Sequence, residues 1–154
     1  MNAAASSNRL LRDSEYENFA SSIQYRLLRL QGELDDDLNE CLRLAMLAFL
    51  TITFPLPGRP ARYPYLASRF RECCCAVEAK TPFLRDLMLW FLIVGAISVY
   101  GVDEPWLYQH WQAVVPVMQW HEARRRLQGI MWIDAIHDET GKQAFKALSC
   151  YAKV

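Results

Sequence analysis

Apolar residues recur at helical spacing along nearly the whole chain, and one run has no polar side at all. Leu87–Val102 carries no charge between Asp86 and Asp103. A helix without a polar face must be covered on every side. The run's 16 residues fall short of the about 20 that a membrane-spanning helix needs. It therefore predicts a buried central helix near 83–100 inside an all-α domain.

The flanking patterns predict the rest of the bundle. Leu10, Leu11, Phe19, Ile23, Leu27 and Leu30 mark an amphipathic first helix from about Arg9, interrupted near Asp13-Ser14 and ended by Gly32. The small polar residues 1–8 read as a flexible N-terminus, with the helical domain occupying 9–154. Asp37, with Glu40 three residues on, reads as a capping box opening a nearly all-apolar helix Leu38–Phe54. Pro55, Pro57 and Pro60 make the next stretch a loop.

A third helix starts near Tyr63-Pro64, with Leu66, Phe70, Cys73 and Val77 on one stripe. Thr81-Pro82 is a cap followed by proline in the first turn, and it opens the buried helix, which closes at Gly101. Asp103-Glu104-Pro105 repeats that opening for a helix with Trp106, Leu107 and Trp111 inside, which Pro116 should kink or end. His121–Ile136 reads as a sixth helix with Leu127, Ile130, Met131 and Ala135 inside. Gly141 reads as a break before a short last helix, Lys142–Tyr151, with Phe145 and Leu148 inside. No segment alternates like a strand. The expectation is a single-domain bundle of about six to seven helices.

Composition adds two constraints. The 154 residues carry 17 Lys/Arg and 17 Asp/Glu, so no net field draws the chain to nucleic acid or to a membrane surface. The five cysteines are odd in number and irregular in spacing. Cys73-Cys74-Cys75 on a helix point in different directions, so they form no disulfide framework. Cys73 and Cys74 fit the core and Cys75 the surface, as reduced thiols of an intracellular protein. Neither they nor the scattered His110, His121 and His137 have zinc-ligand spacing, and no metal or cofactor is expected.

Three groups could carry function. Asp134 and His137, three apart, can share a helix face as carboxylate and general base. The structural alternative has Asp134, seven residues after Leu127, leaning toward the core, with His137 bonding near a helix C-terminus. Arg124, Arg125 and Arg126 form a basic run, either a solvated face or an interaction surface. Trp90, Trp106, Trp111 and Trp132 could line a small-molecule pocket, although aromatics at helical spacing usually pack.

The strings Cys41-Leu-Arg-Leu-Ala-Met-Leu-Ala-Phe-Leu50, Leu89-Trp-Phe-Leu-Ile-Val-Gly-Ala-Ile-Ser98 and Met131-Trp-Ile-Asp-Ala-Ile-His-Asp138 stand in an order that resembles the C-terminal regulatory region of fungal zinc-cluster transcription factors. Tyr65-Leu-Ala-Ser-Arg-Phe-Arg-Glu72 and Glu104-Pro-Trp-Leu107 fit the same order. The likeness spans about Gly32 to Ala147. It implies a nuclear, all-helical regulatory domain, commonly acting in metabolism or secondary metabolism, and not an enzyme. Its partners would be a protein or a second copy, with a small-molecule effector open to it.

The first 40 residues hold none of the six cysteines of the binuclear zinc cluster, so direct nucleic-acid contact is not expected of this chain. An excised domain, a truncated relative and a stand-alone regulatory protein all fit that departure. Two other classes compete. One is a small helical enzyme using Asp134 and His137 on an apolar substrate. The other is a membrane hairpin made of Leu42–Leu56 and Leu87–Val102.

Overall fold

A computed structural model describes residues 2–54, 63–115 and 117–151, with side chains from residue 15 onward. Among them are seven α-helices, one π-helical turn and no strand. The helices are α1 (Asn2–Arg29), α2 (Asp37–Thr53), α3 (Pro64–Ala76), α4 (Pro82–Gly95), α5 (Pro105–Val114), α6 (Trp120–Gln128) and α7 (Asp134–Tyr151). The π-helical turn, Ala96–Tyr100, continues α4. The all-α bundle expected from the sequence is the fold.

The central helix is α4. Every residue from Leu87 to Ala96 is buried. Phe91 contacts Phe70 of α3 edge-on, with ring centroids 6.1 Å apart, and Trp90 lies against Phe49 of α2 at 6.0 Å. α5, α6 and α7 complete the cover through Leu107, Trp111, Ala123, Leu127, Phe145 and Leu148. With its π-helical extension, the segment Pro82–Tyr100 has 19 residues and a mean hydropathy of 1.7. By length and composition it could cross a membrane, which the shorter run counted from Leu87 did not suggest. In this fold its middle turns are instead wrapped by other helices.

Helix starts follow local chemistry. Thr81 Oγ1 accepts from the Leu84 amide at 3.2 Å, and Pro82 occupies the first turn, as expected. At α2 the cap is Asp36 rather than Asp37: it has the extended backbone that a cap requires, and its carboxylate accepts from the Asn39 amide at 2.8 Å. Glu40 makes no capping box, because its carboxylate turns to Arg43. α5 opens at Pro105 as predicted and ends at Val114. Pro116 and the proline-rich loop Pro55–Arg62 lie outside the described residues.

The structure departs from the sequence reading in three further places. The α1 backbone is helical over Asn2–Arg29, without the interruption expected near Asp13-Ser14. Its apolar stripe is only partly covered, with Ala20 and Leu27 buried but Phe19 66% exposed, because α1 packs mainly on α2.

The predicted helix His121–Ile136 is two helices. α6 stops at Gln128, and Gly129–Ile133 turns the chain before α7. Met131 and Ala135 therefore face outward rather than inward.

Gly141 does not break the chain, since α7 runs through it. A β-carbon there would lie 2.5 Å from the Trp132 ring and 3.2 Å from Trp120. Gly95 plays the same part for Tyr100, whose ring would be 2.5 Å from an added methyl. The Tyr100 ring folds back over Gly95 at the end of the π-helical turn. Gly101, at φ +76°, then ends the element where the sequence reading placed its close.

Candidate functional site

The segment made of α6, the following turn and the start of α7 carries most of the residues singled out above. Arg124 spans it, donating from Nη2 to Asp134 at 2.6 Å and from Nε to Asp138 at 2.8 Å. Gln128 Nε2 also reaches Asp134, at 2.9 Å. Asp138 accepts in addition from the Trp132 indole at 2.8 Å. Trp90, inside α4, donates its indole N–H to the Met131 carbonyl at 2.7 Å and pins the turn to the core. Six side chains thus hold one short connection in place.

Asp134 and His137 are not brought together. Asp134 begins α7, its side chain is 47% exposed, and its carboxylate is held by Arg124. It does not lean into the core, because the helix restarts after Leu127 and the seven-residue count no longer applies. His137 is buried, at 1% exposure, in the first turn of α7 and not near a C-terminus.

The His137 ring lies between Phe49, at 4.6 Å, and Trp132, at 5.1 Å. Nδ1 accepts from the Ile133 amide at 3.0 Å. That assigns the proton to Nε2, which faces Thr53 Oγ1 at 3.3 Å, while Thr53 donates to the Phe49 carbonyl at 2.8 Å. Burial pushes the His137 pKa below its ordinary value, with the Asp138 carboxylate opposing. The ring is a neutral structural link between α2 and α7, with no open side for a substrate.

The basic run divides. Arg126 pairs with Glu122 at 2.6 Å and with Asp86 at 3.1 Å, tying α6 to α4. Arg124 is committed to α7. Arg125 is exposed and makes no ion pair among the described residues. Beside this framework, Met131, Ile133 and Ile136 are 37%, 40% and 42% exposed. They are exposed apolar side chains on the connection and the first turn of α7, where the backbone is fixed from several sides.

None of the four tryptophans lines either of the two cavities that open among the described residues. Trp90, Trp106 and Trp111 are core residues, and Trp132 covers Gly141 and His137. The Trp106 indole N–H and the Tyr100 hydroxyl are buried without a partner among the described residues, with their rings 4.9 Å apart.

Two cavities open elsewhere among the described residues. One, of about 540 Å³, lies over the π-helical turn and the start of α3. The other, of about 330 Å³, lies among α1, α2 and α3. Neither is lined by tryptophan. The cysteines sit as expected: Cys41, Cys73 and Cys74 are buried and Cys75 exposed. The Cys41 and Cys74 sulfurs are 3.4 Å apart, and burial raises the Cys41 thiol's pKa, keeping it protonated. No group of three or more metal-ligating side chains forms among the described residues.

One polar pair escaped the sequence reading. Arg43 and Glu40 are buried on α2, with Nε and Nη2 each 2.7 Å from a Glu40 oxygen. Arg43 Nη1 also donates to the Leu27 carbonyl at 3.2 Å, joining α2 to α1. The signal available was a pair of opposite charges three apart in an otherwise apolar helix. Comparison of the chain with family models, with characterised proteins and with solved structures gives no significant match.

Proposed function

We propose that the chain is a helical interaction domain of a transcription regulator, of the kind the residue strings at 41–50, 89–98 and 131–138 resemble. The observation that carries this reading is an exposed trio: Met131 and Ile133, on a turn fixed by Arg124, Asp134, Asp138 and Trp90, and Ile136 in the first turn of α7. An apolar surface gains binding energy when its backbone is already ordered, because little conformational freedom is lost on docking. Exposed Arg125 lies on the adjoining helix and would meet an acidic partner group. On this reading Asp134, held by Arg124, and His137, buried between α2 and α7, support the surface rather than perform a reaction. The domain acts in the nucleus without touching DNA or membrane.

The test is a reporter assay. The chain, fused to an unrelated DNA-binding domain, should change transcription from that domain's site. An Ile133→Asp/Ile136→Asp variant should lose the effect while keeping the helical circular dichroism of the parent. A fusion with no effect on the reporter, or an effect untouched by the double substitution, would overturn the proposal.

A further inference from the structure

The cavity among α1, α2 and α3 has features that the proposed docking surface does not use. It holds about 330 Å³, within the roughly 300–1,000 Å³ range of small-molecule sites. Its walls are largely apolar, with Leu28, Leu44, Leu47 and Leu66 among the lining residues, and Tyr65 adds a phenol beside Gln31. Arg43 also lines it, although that side chain is only 3% exposed.

A guanidinium has five N–H donors. Three of Arg43's are used, two by Glu40 and one by the Leu27 carbonyl. The two that remain have no acceptor among the described residues. Buried donors left without acceptors are costly, and a ligand that supplies an acceptor gains from pairing them.

Charge decides the ligand's class. The Arg43 charge is already matched by Glu40, whose carboxylate also lies 3.9 Å from Arg69 Nε. Glu72 in turn pairs with Arg69 at 3.1 Å. The floor of the cavity is therefore locally neutral. An anionic ligand would compete with Glu40, and a cation would face Arg43. We infer that this cavity binds a small uncharged apolar molecule carrying one hydrogen-bond acceptor, a carbonyl, directed at the spare Arg43 N–H groups. The inference concerns binding alone and holds whether or not the face at Met131, Ile133 and Ile136 docks a protein.

Prodan, an uncharged naphthalene ketone whose emission shifts blue in apolar surroundings, is the probe. Titrated into the full chain, it should bind saturably with a blue shift. Dimethylaminonaphthalene, the same ring without the ketone, should bind about tenfold more weakly, the worth of a hydrogen bond to a charged donor. Leu47→Trp fills the cavity and should reduce prodan affinity at least about tenfold at unchanged circular dichroism. Should that variant fail to fold, Leu47→Phe reads the same quantity with less added volume.

Ile133→Asp should leave prodan binding unchanged, which separates this site from the docking face. Absence of saturable binding, equal affinity for the two probes, or binding indifferent to substitution at Leu47 would each overturn the inference.

Discussion

Arg43 and His137 are polar side chains that the fold takes out of water, and each is matched before it is buried. Arg43 keeps its charge because Glu40 accepts two of its hydrogen bonds, and the same contact holds the Glu40 carboxyl below its ordinary pKa. Removing one partner leaves the other charge stranded. Arg43→Met should cost about 3–5 kcal/mol. The double variant Arg43→Met/Glu40→Leu should recover much of that loss, which urea titration of both proteins would show. A double variant no more stable than the single would mean that the pair is not acting as a unit.

His137 is matched in its neutral form, so it reports on pH. Its folded pKa lies below the unfolded value of about 6.5. Above that value neither state binds a proton at this ring. As pH falls below it, the unfolded chain takes up a proton that the folded ring refuses, and stability declines. The melting temperature should drop between about pH 7 and pH 5, and the drop should shrink in His137→Gln. Equal drops in the two proteins would remove His137 as the cause.

At the scale of the helix, a glycine that a sequence reading takes for a break serves as a socket. Alanine normally stabilises a helix interior relative to glycine. At Gly141 the order should reverse, because the new methyl would meet the Trp132 and Trp120 rings. Gly141→Ala should destabilise by about 1–3 kcal/mol, visible as a lowered thermal midpoint. A raised midpoint would show that the rings move aside at no cost.

Gly141 also shows why part of the architecture was not legible. The openings of α3, α4 and α5 could be read from Pro64, Thr81-Pro82 and Glu104-Pro105, since capping and proline chemistry are local. The run through α6 and α7 could not. Ile130 and Met131 continue an apolar rhythm across a turn, and the ring that makes Gly141 necessary comes from outside α7. Asp134 was misplaced for the same reason, and the separation of Asp134 from His137 followed from it. Glu40 reads locally as a capping residue and its pairing with Arg43 is missed, because nothing local marks the place where α1 and α3 close over α2.

Across the whole molecule, stability is unevenly held. α4 is enclosed by five other helices, whereas α1 rests mainly on α2 and leaves Tyr16, Phe19 and Tyr25 more than half exposed. Phe91→Ala should cost about 3–5 kcal/mol, while Phe19→Ser should stay within about 0.5 kcal/mol. Amide exchange should follow the same gradient, with α1 exchanging through local opening and α4 only through global unfolding. If α1 is as protected as α4, it has a partner surface that the monomer does not show.

The seating of aromatic rings on Gly95 and Gly141 constrains how this chain can diverge. Each glycine and its rings form one volume, shared between residues of different elements: Gly95 with Tyr100 and Phe70, Gly141 with Trp132 and Trp120. A lineage that acquired a methyl at position 141 would need a slimmer residue at 132, gained at nearly the same time. These positions should therefore drift in concert, small with large, and the trace of that exchange would mark a descendant of this fold after other sequence likeness has faded.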